Sequence, residues 1–388
     1  MANYQVTHLQ DKTKHTRPLI LLNPLASNTT NWHKQQPDPA VEAFHKALPD
    51  YDETRLHPLP SLATSLGLKH VFLKDESTRF ALPSFKILGA SWAIHRTLCK
   101  HLNLPPTTPI PEVRATASQP GTQIALLTTT DGNWGRAASR MAAHLQIPIT
   151  LYVPGFMNTY TQNLIRSEGA TVIVLEHASY DECIARVRTE SARTGALMVL
   201  DTSWSGYTEI PQWVTDGYET MLAETDRQVA AAAAGSKPNV CFASVGVGSW
   251  AHSVVAHYKA ADPVNNKIVA VEPDTAAAFK ESLHAGEITP VETADTIMCG
   301  MNCGTTSTIA WPILRDGVFA AMTVTDRESH EDVLFLQAQG INAGPCGAAN
   351  LAALRKFCAS GLVEEDKKRD MCVVLFSTEG NREYEIPQ

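Results

Sequence analysis

The sequence predicts an α/β protein in two lobes, each a mostly parallel sheet flanked by helices. Three observations predict it. The 388 residues exceed what one hydrophobic core ordinarily fills, which argues for two lobes. From Ile124 to Leu200, short apolar runs alternate with helical patterns, a rhythm that requires a parallel sheet covered by helices. Further short apolar runs flank that stretch on both sides, enough for a second sheet.

Taken in order, residues 1–40 are polar and rich in proline and asparagine, and read as an extended arm. Val71–Lys74 reads as a strand. Ser84 is placed to N-cap a helix over Phe85–Leu98, whose Ile87, Leu88, Ala90, Trp92, Ala93 and Ile94 are too dense for an amphipathic surface helix, so it is buried on most sides. Residues 103–122 hold several prolines and no pattern, which marks a surface insertion. Then follow strand Ile124–Thr128, helix Gly135–Leu145, strand Ile149–Val153, helix Thr159–Glu168, strand Thr171–Leu175, helix Tyr180–Thr194 and strand Leu197–Leu200. A helix over Ile210–Ala230 precedes strands Val240–Ser244, Ile268–Val271 and Met371–Phe376. The expected domains are an arm (1–40), a large domain (41–124 with 204–388) and a small one (125–203).

Composition excludes several functions. A net charge of −8 disfavours nucleic acid or an anionic membrane as partner, since either wants a basic face. No apolar run approaches the roughly 20 residues of a membrane span, and Met1–Arg17 lacks the apolar centre of a signal peptide. The eight cysteines are scattered; Cys299 and Cys303 stand in a C-x3-C spacing without a second pair, so no metal site is expected. Buried thiols in a reducing cytoplasm are the reading.

Three loops at the C-terminal ends of expected strands carry chemistry, at the edge where open α/β sheets bind ligands. The first leads from Lys74-Asp75-Glu76-Ser77 through Arg79 to Ser84-Phe85-Lys86. A lysine in the first turn of a buried helix meets a repelling dipole and desolvation, both of which favour its neutral, nucleophilic form. Local sequence also fits a lysine snorkelling to the surface. The second, Asp131-Gly132-Asn133-Trp134-Gly135, offers amides and short polar side chains to a ligand oxygen, or is a turn capped by Asp131 or Asn133. The third, Gly246-Val247-Gly248-Ser249, precedes a helix from Trp250 and lets backbone amides approach a phosphate. It lacks the third glycine of a dinucleotide fingerprint, so a smaller phosphate fits it better.

This combination resembles the fold-type-II pyridoxal-phosphate (PLP) enzymes, the class of the serine/threonine dehydratases and the tryptophan synthase β chain. Ser84-Phe85-Lys86, Gly132-Asn133-x-Gly135 and Gly246–Ser249 carry the resemblance. Within the class the match is closest to the diaminopropionate ammonia-lyases. Lys74-Asp75-Glu76-Ser77, Thr130-Asp131-Gly132-Asn133, Asp201-Thr202-Ser203-Trp204, Gly206-Tyr207-Thr208-Glu209-Ile210-Pro211, Thr296-Ile297-Met298, Cys303-Gly304 and Ser377-Thr378-Glu379-Gly380 carry that narrower match. The resemblance implies PLP as cofactor, with Lys86 as its Schiff-base lysine beside Phe85. It implies Lys86 as a base at Cα and Asp131 and Asp201 as the two active-site acids, one of them acting on the face of Cα opposite the lysine so that both enantiomers turn over. Asn133 is implied to bond the cofactor's phenolic oxygen and Gly246, Val247, Gly248 and Ser249 its phosphate. Ser377 or Thr378 would meet the pyridine nitrogen, a neutral partner that favours β-elimination. Read from the residues alone, Asp201 is a strand-end cap. Two segments depart from the family pattern: Trp134 stands where the class has histidine, and Gly344-Pro345-Cys346-Gly347 where the ammonia-lyases usually carry a Glu-Ser pair. Both imply a reshaped pocket.

The expected activity is elimination of ammonia from 2,3-diaminopropionate to give pyruvate, in a cytoplasmic homodimer acting on a small amino acid. A serine/threonine dehydratase or β-replacement synthase is the alternative on the same cofactor. A non-enzymatic nucleotide-binding α/β module is the alternative without it.

Overall fold

The computed structural model describes residues 3–27, 32, 38–130 and 132–388. Its strands, in chain order, are β1 (Asn3–Thr7), β2 (Lys14–Pro18), β3 (Ile20–Leu22), β4 (Leu56–Pro58), β5 (His70–Asp75), β6 (Leu126–Thr129), β7 (Ile149–Pro154), β8 (Thr171–Leu175), β9 (Leu197–Met198), β10 (Val240–Ser244), β11 (Lys267–Pro273), β12 (Val318–Val324) and β13 (Cys372–Ser377). β1 and β2 pair as an antiparallel hairpin. A seven-stranded sheet runs β3-β12-β11-β10-β13-β5-β4, and a four-stranded sheet runs β8-β7-β6-β9. In the larger sheet five strands from β12 to β5 are parallel, and antiparallel β3 and β4 close the edges. The smaller sheet is parallel throughout. This is the α/β architecture the sequence predicts. Every residue of β10 and β13 is buried, as strands covered on both faces must be. No helix of the described residues is long and apolar enough to cross a membrane.

Two compact units hold these sheets. Met1–Pro37, Asp52–Arg79 and Glu219–Gln388 carry the hairpin and the larger sheet; Asp38–Tyr51 and Phe80–Tyr218 carry the smaller one. The expected boundaries differ: residues 41–51, 80–124 and 204–218, expected in the large domain, lie with the small sheet. The reason is the buried helix Lys86–His101, which packs on helices Asn133–Leu145 and Glu209–Gly217 of the small unit. The approach is close enough to exclude a side chain. A Cβ on Gly217 would lie 2.5 Å from the Leu88 carbonyl oxygen, and one on Gly89 2.8 Å from Tyr218 and Val214.

Three expectations are corrected. The arm is partly regular, supplying β1, β2 and the edge strand β3. The insertion contains a helix, Ile110–Ala117, because Pro109 and Pro111 sit at its start, where the missing N–H groups cost nothing. Val113 on its inner face is buried, and the neighbouring Thr108 carbonyl bonds the His95 ring at 2.7 Å. The single helix over 210–230 is two, Glu209–Gly217 and Glu219–Ala232, divided where Gly217 meets Leu88.

Candidate active site

In the small unit, Ser84 Oγ accepts a hydrogen bond from the Lys86 amide at 3.2 Å, and Lys86 opens a helix whose next residues are all buried. Ile87 to Ile94 therefore hold the lysine's backbone inside the unit. Its Nζ does not snorkel: it donates to Asp201 Oδ2 at 2.8 Å, with side-chain exposures of 18% and 8%. An ammonium that is desolvated and set at a helix N-terminus needs a compensating anion, and Asp201 is that anion. Asp201 is thus more than a strand-end cap. The Phe85 ring lies 5.5 Å from the lysine Nζ and packs on Tyr218, 4.7 Å between centroids.

The polar turn after β6 is built around Thr130, whose hydroxyl accepts from the amides of Gly132 and Gly135, each at 2.9 Å. Asn133 is the first residue of the helix Asn133–Leu145, and its N-cap is Gly132. Asp131 lies outside the described residues. Trp134 turns toward its own sheet: the ring is buried and its Nε1 donates to Thr128 Oγ1 at 2.9 Å. The sequence shows Thr130 only as part of the family motif; its role rests on a hydroxyl folding back on later amides.

In the larger unit, the loop Gly246–Ser249 leaves β10 and enters the helix Ser249–Ala261. Gly248 has φ +101°, which an L-residue adopts only under strain. A Cβ there would also lie 3.1 Å from Ala310 Cβ and Leu314 Cδ1, and one on Gly246 3.0 Å from the Gly300 oxygen. The loop is held as bare backbone, with the Ser307 amide donating to the Val247 oxygen at 2.8 Å. The first N–H groups of a helix have no intrahelical acceptor, so a loop of this geometry can seat an anion. The buried Thr306 Oγ1 finds no partner among the described residues. The run Thr305-Thr306-Ser307 is the sequence signal for these two residues.

At the end of β13, Ser377 is fully buried and Thr378 nearly so; Ser377 Oγ donates only a long bond, 3.4 Å, to the Glu379 oxygen. Asn350 Nδ2 donates to the Phe376 oxygen at 2.8 Å, fixing the strand end. Pro345 begins the helix Pro345–Ala359, and the adjoining Cys346 amide donates to Glu379 Oε1 at 3.2 Å.

The Lys74–Arg79 segment does something else. Arg79 spans Glu76 and Glu224 with four bonds of 2.6–2.8 Å and reaches Thr54 Oγ1 at 2.9 Å. Lys74 donates to Glu224 at 2.9 Å and to the Thr54 oxygen at 2.7 Å. All four charged side chains are fully buried, two of each sign, so this is a closed ion network anchoring the loop after β5. Of the cysteines, Cys299 and Cys303 are half-buried and the other six buried. His8, His15 and Glu281 bring potential ligand atoms within 4.8 Å of one another. Arg17 forks both oxygens of that carboxylate and His8 bonds it at 2.8 Å, so the group stands as an ion pair.

Residues 47–377 match the family model described as pyridoxal-phosphate dependent enzyme. The diaminopropionate ammonia-lyase of Salmonella typhimurium is 33% identical over 316 residues, covering 79% of this chain and 75% of that protein. That of Escherichia coli is 31% identical over 353 residues, 87% of each. Among solved structures, holo diaminopropionate ammonia lyase from Escherichia coli superposes with a TM-score of 0.83 at 28% identity over 93% of each chain. The same enzyme in complex with D-serine gives 0.82 at 27% identity, over 98% of this chain and 95% of that one.

Proposed function

The chain belongs to the pyridoxal-phosphate-dependent enzyme family, and on that premise we propose that it is a carbon–nitrogen lyase converting 2,3-diaminopropionate and water to pyruvate and two ammonia. Its cofactor is pyridoxal 5'-phosphate. The residues present fit that group: a half-buried primary amine for an aldehyde, a tightly packed glycine loop for a phosphate, and an orphaned threonine hydroxyl beside that loop. When bound, the cofactor supplies an electron sink for charge that develops at Cα.

This chain's own residues would do the rest. Lys86 would hold the cofactor covalently, with Phe85 alongside. Asn133 would bond its phenolic oxygen, Gly246, Val247, Gly248 and Ser249 its phosphate, and Ser377 or Thr378 its ring nitrogen. A neutral hydroxyl at that nitrogen limits electron withdrawal and favours elimination. The observation that carries the catalytic reading is the 2.8 Å bond between Lys86 Nζ and Asp201 Oδ2. Two acid–base groups at that distance exchange a proton directly. One can take the proton from Cα while the other keeps one available for the departing amine. Asp131 would serve as the acid–base group for the opposite enantiomer.

The test is to incubate the holoenzyme with D- and L-2,3-diaminopropionate and measure pyruvate. The reading expects pyruvate from both. Turnover of serine or threonine with none of diaminopropionate would make it a dehydratase, and product trapped by an added thiol a β-replacement synthase. A cytoplasmic homodimer is the assembly we infer from the family resemblance.

A further inference from the structure

We infer that Tyr207 is a positioning residue for Asp201, setting the carboxylate against Lys86 by closing an open sheet edge. The inference rests on the reading of Asp201 as an acid–base group.

β9 is the outermost strand of the small sheet, and it is only two residues long. In a strand, alternate residues turn their backbone groups to opposite sides. Leu197 and Val199 turn theirs inward, their amides donating to the Ala125 and Leu127 oxygens at 2.8 and 2.9 Å. Met198 and Leu200 therefore turn theirs to the side where no strand lies. Unpaired groups on such an edge leave the chain free to shift. Here a single phenol takes the place of the missing strand. Tyr207 OH accepts from the Leu200 amide at 2.9 Å and donates to the Met198 oxygen at 3.1 Å.

The tyrosine is itself held. Trp204 and Tyr207 exchange two backbone hydrogen bonds, 2.9 and 3.3 Å, and their rings stack at 4.6 Å with 18° between planes. The Arg188 guanidinium lies over the Trp204 ring, 4.9 Å from its centroid. Burial pushes the Tyr207 hydroxyl well above its ordinary pKa, so it keeps the proton with which it bonds Met198. Asp201 follows Leu200 directly. A clamp on the 198–200 backbone thus fixes the last residues before the carboxylate that meets Lys86 Nζ. The segment from Asp201 to Tyr207 is a closed device in which the residue that does the chemistry and the residue that aims it lie six positions apart.

The test is Tyr207→Phe in the holoenzyme, which keeps the ring stack and removes the hydroxyl. Misplacement of a reacting group by about 1 Å can cost roughly 100-fold, so kcat should fall between about 10- and 100-fold with KM within about twofold. In an Asp201→Asn background the same change should lower kcat no further. Hydrogen exchange over 198–203 should accelerate at least tenfold. Faster exchange with unchanged kcat, or an equal loss of kcat in both backgrounds, overturns the positioning role. Unchanged exchange overturns the clamp. In the wild-type protein the Leu200 amide should exchange as slowly as that of Val199, a measurement that needs no folded variant, and rapid exchange there also overturns the clamp. A wild-type protein inactive on both enantiomers refutes the reading of Asp201 as a catalytic group, while the exchange rates still decide the clamp.

Discussion

Removing one carboxylate from the buried network beneath the loop after β5 should weaken the larger unit severely. Lys74 and Arg79 balance Glu76 and Glu224, and none of the four side chains reaches solvent. Glu224→Ala takes from Arg79 its bonds at 2.8 and 2.6 Å and from Lys74 one at 2.9 Å, leaving two buried cations against one anion. Breaking a buried pair in this way costs about 3–5 kcal/mol. For a unit of this size each kcal/mol moves the midpoint by roughly 2–4 °C, so Tm should fall by roughly 6–20 °C in calorimetry at neutral pH. Glu292→Ala is the control, because the Lys12–Glu292 pair is 63% and 43% exposed and should contribute at most about 1 kcal/mol. The pH dependence has a definite sign. Burial alone would raise the Glu224 carboxyl, but the bonds and charge of Arg79, with Lys74, bring it down to about 2. Its stabilisation is therefore present above the ordinary value of 4.5 and is lost as pH falls toward 2. An E224A protein that melts within about 2 °C of wild type, where at least 6 °C is expected, would refute this reasoning.

Gly248→Ala combines a residue at φ +101° with a Cβ 3.1 Å from two side-chain atoms. It should cost about 1–2 kcal/mol of stability and weaken PLP binding to the apoprotein at least roughly tenfold by fluorescence titration; unchanged affinity would remove the loop from the phosphate seat. His257 is buried between Glu219 and Asp226, 2.8 Å from each. Burial would lower its pKa, but the two carboxylates raise it to about 10. Its contribution is complete below 6.5 and is lost as pH rises through about 10, so His257→Gln should flatten the stability profile across that window. An unchanged slope in the variant would contradict the assignment of charge to His257.

What the sequence revealed follows from how locally each feature is encoded. Thr171–Leu175 is a short, mostly β-branched run and Val240–Ser244 a short, mostly apolar one, and both form strands with those bounds. β12 is different: Ala320 and Ala321 at its centre have no strand preference, so its pattern does not announce a strand. The edge strands β3 and β4 have three residues each and depend on a neighbour for their form. The break at Gly217 is a tertiary event, set by Leu88 on another helix. Of the proposed site, the glycine loop after β10 and the lysine opening a buried helix stand out in the sequence because each is a local pattern of residue types. The Lys86–Asp201 bond was not, since the two are 115 positions apart and only folding joins them. Lys74, Glu76 and Arg79 illustrate the converse, charged residues of a family motif that structure assigns to an ion network whose last member, Glu224, no local pattern supplies.

The central claim is that Lys86 carries the cofactor. Borohydride reduction of the holoenzyme, followed by digestion and peptide mass spectrometry, tests it most directly. A phosphopyridoxyl group is expected on Lys86, and in Lys86→Ala the loss of both that label and the absorbance band near about 410 nm. A label on any other lysine, or a Lys86→Ala protein that keeps the band and full activity, would contradict it.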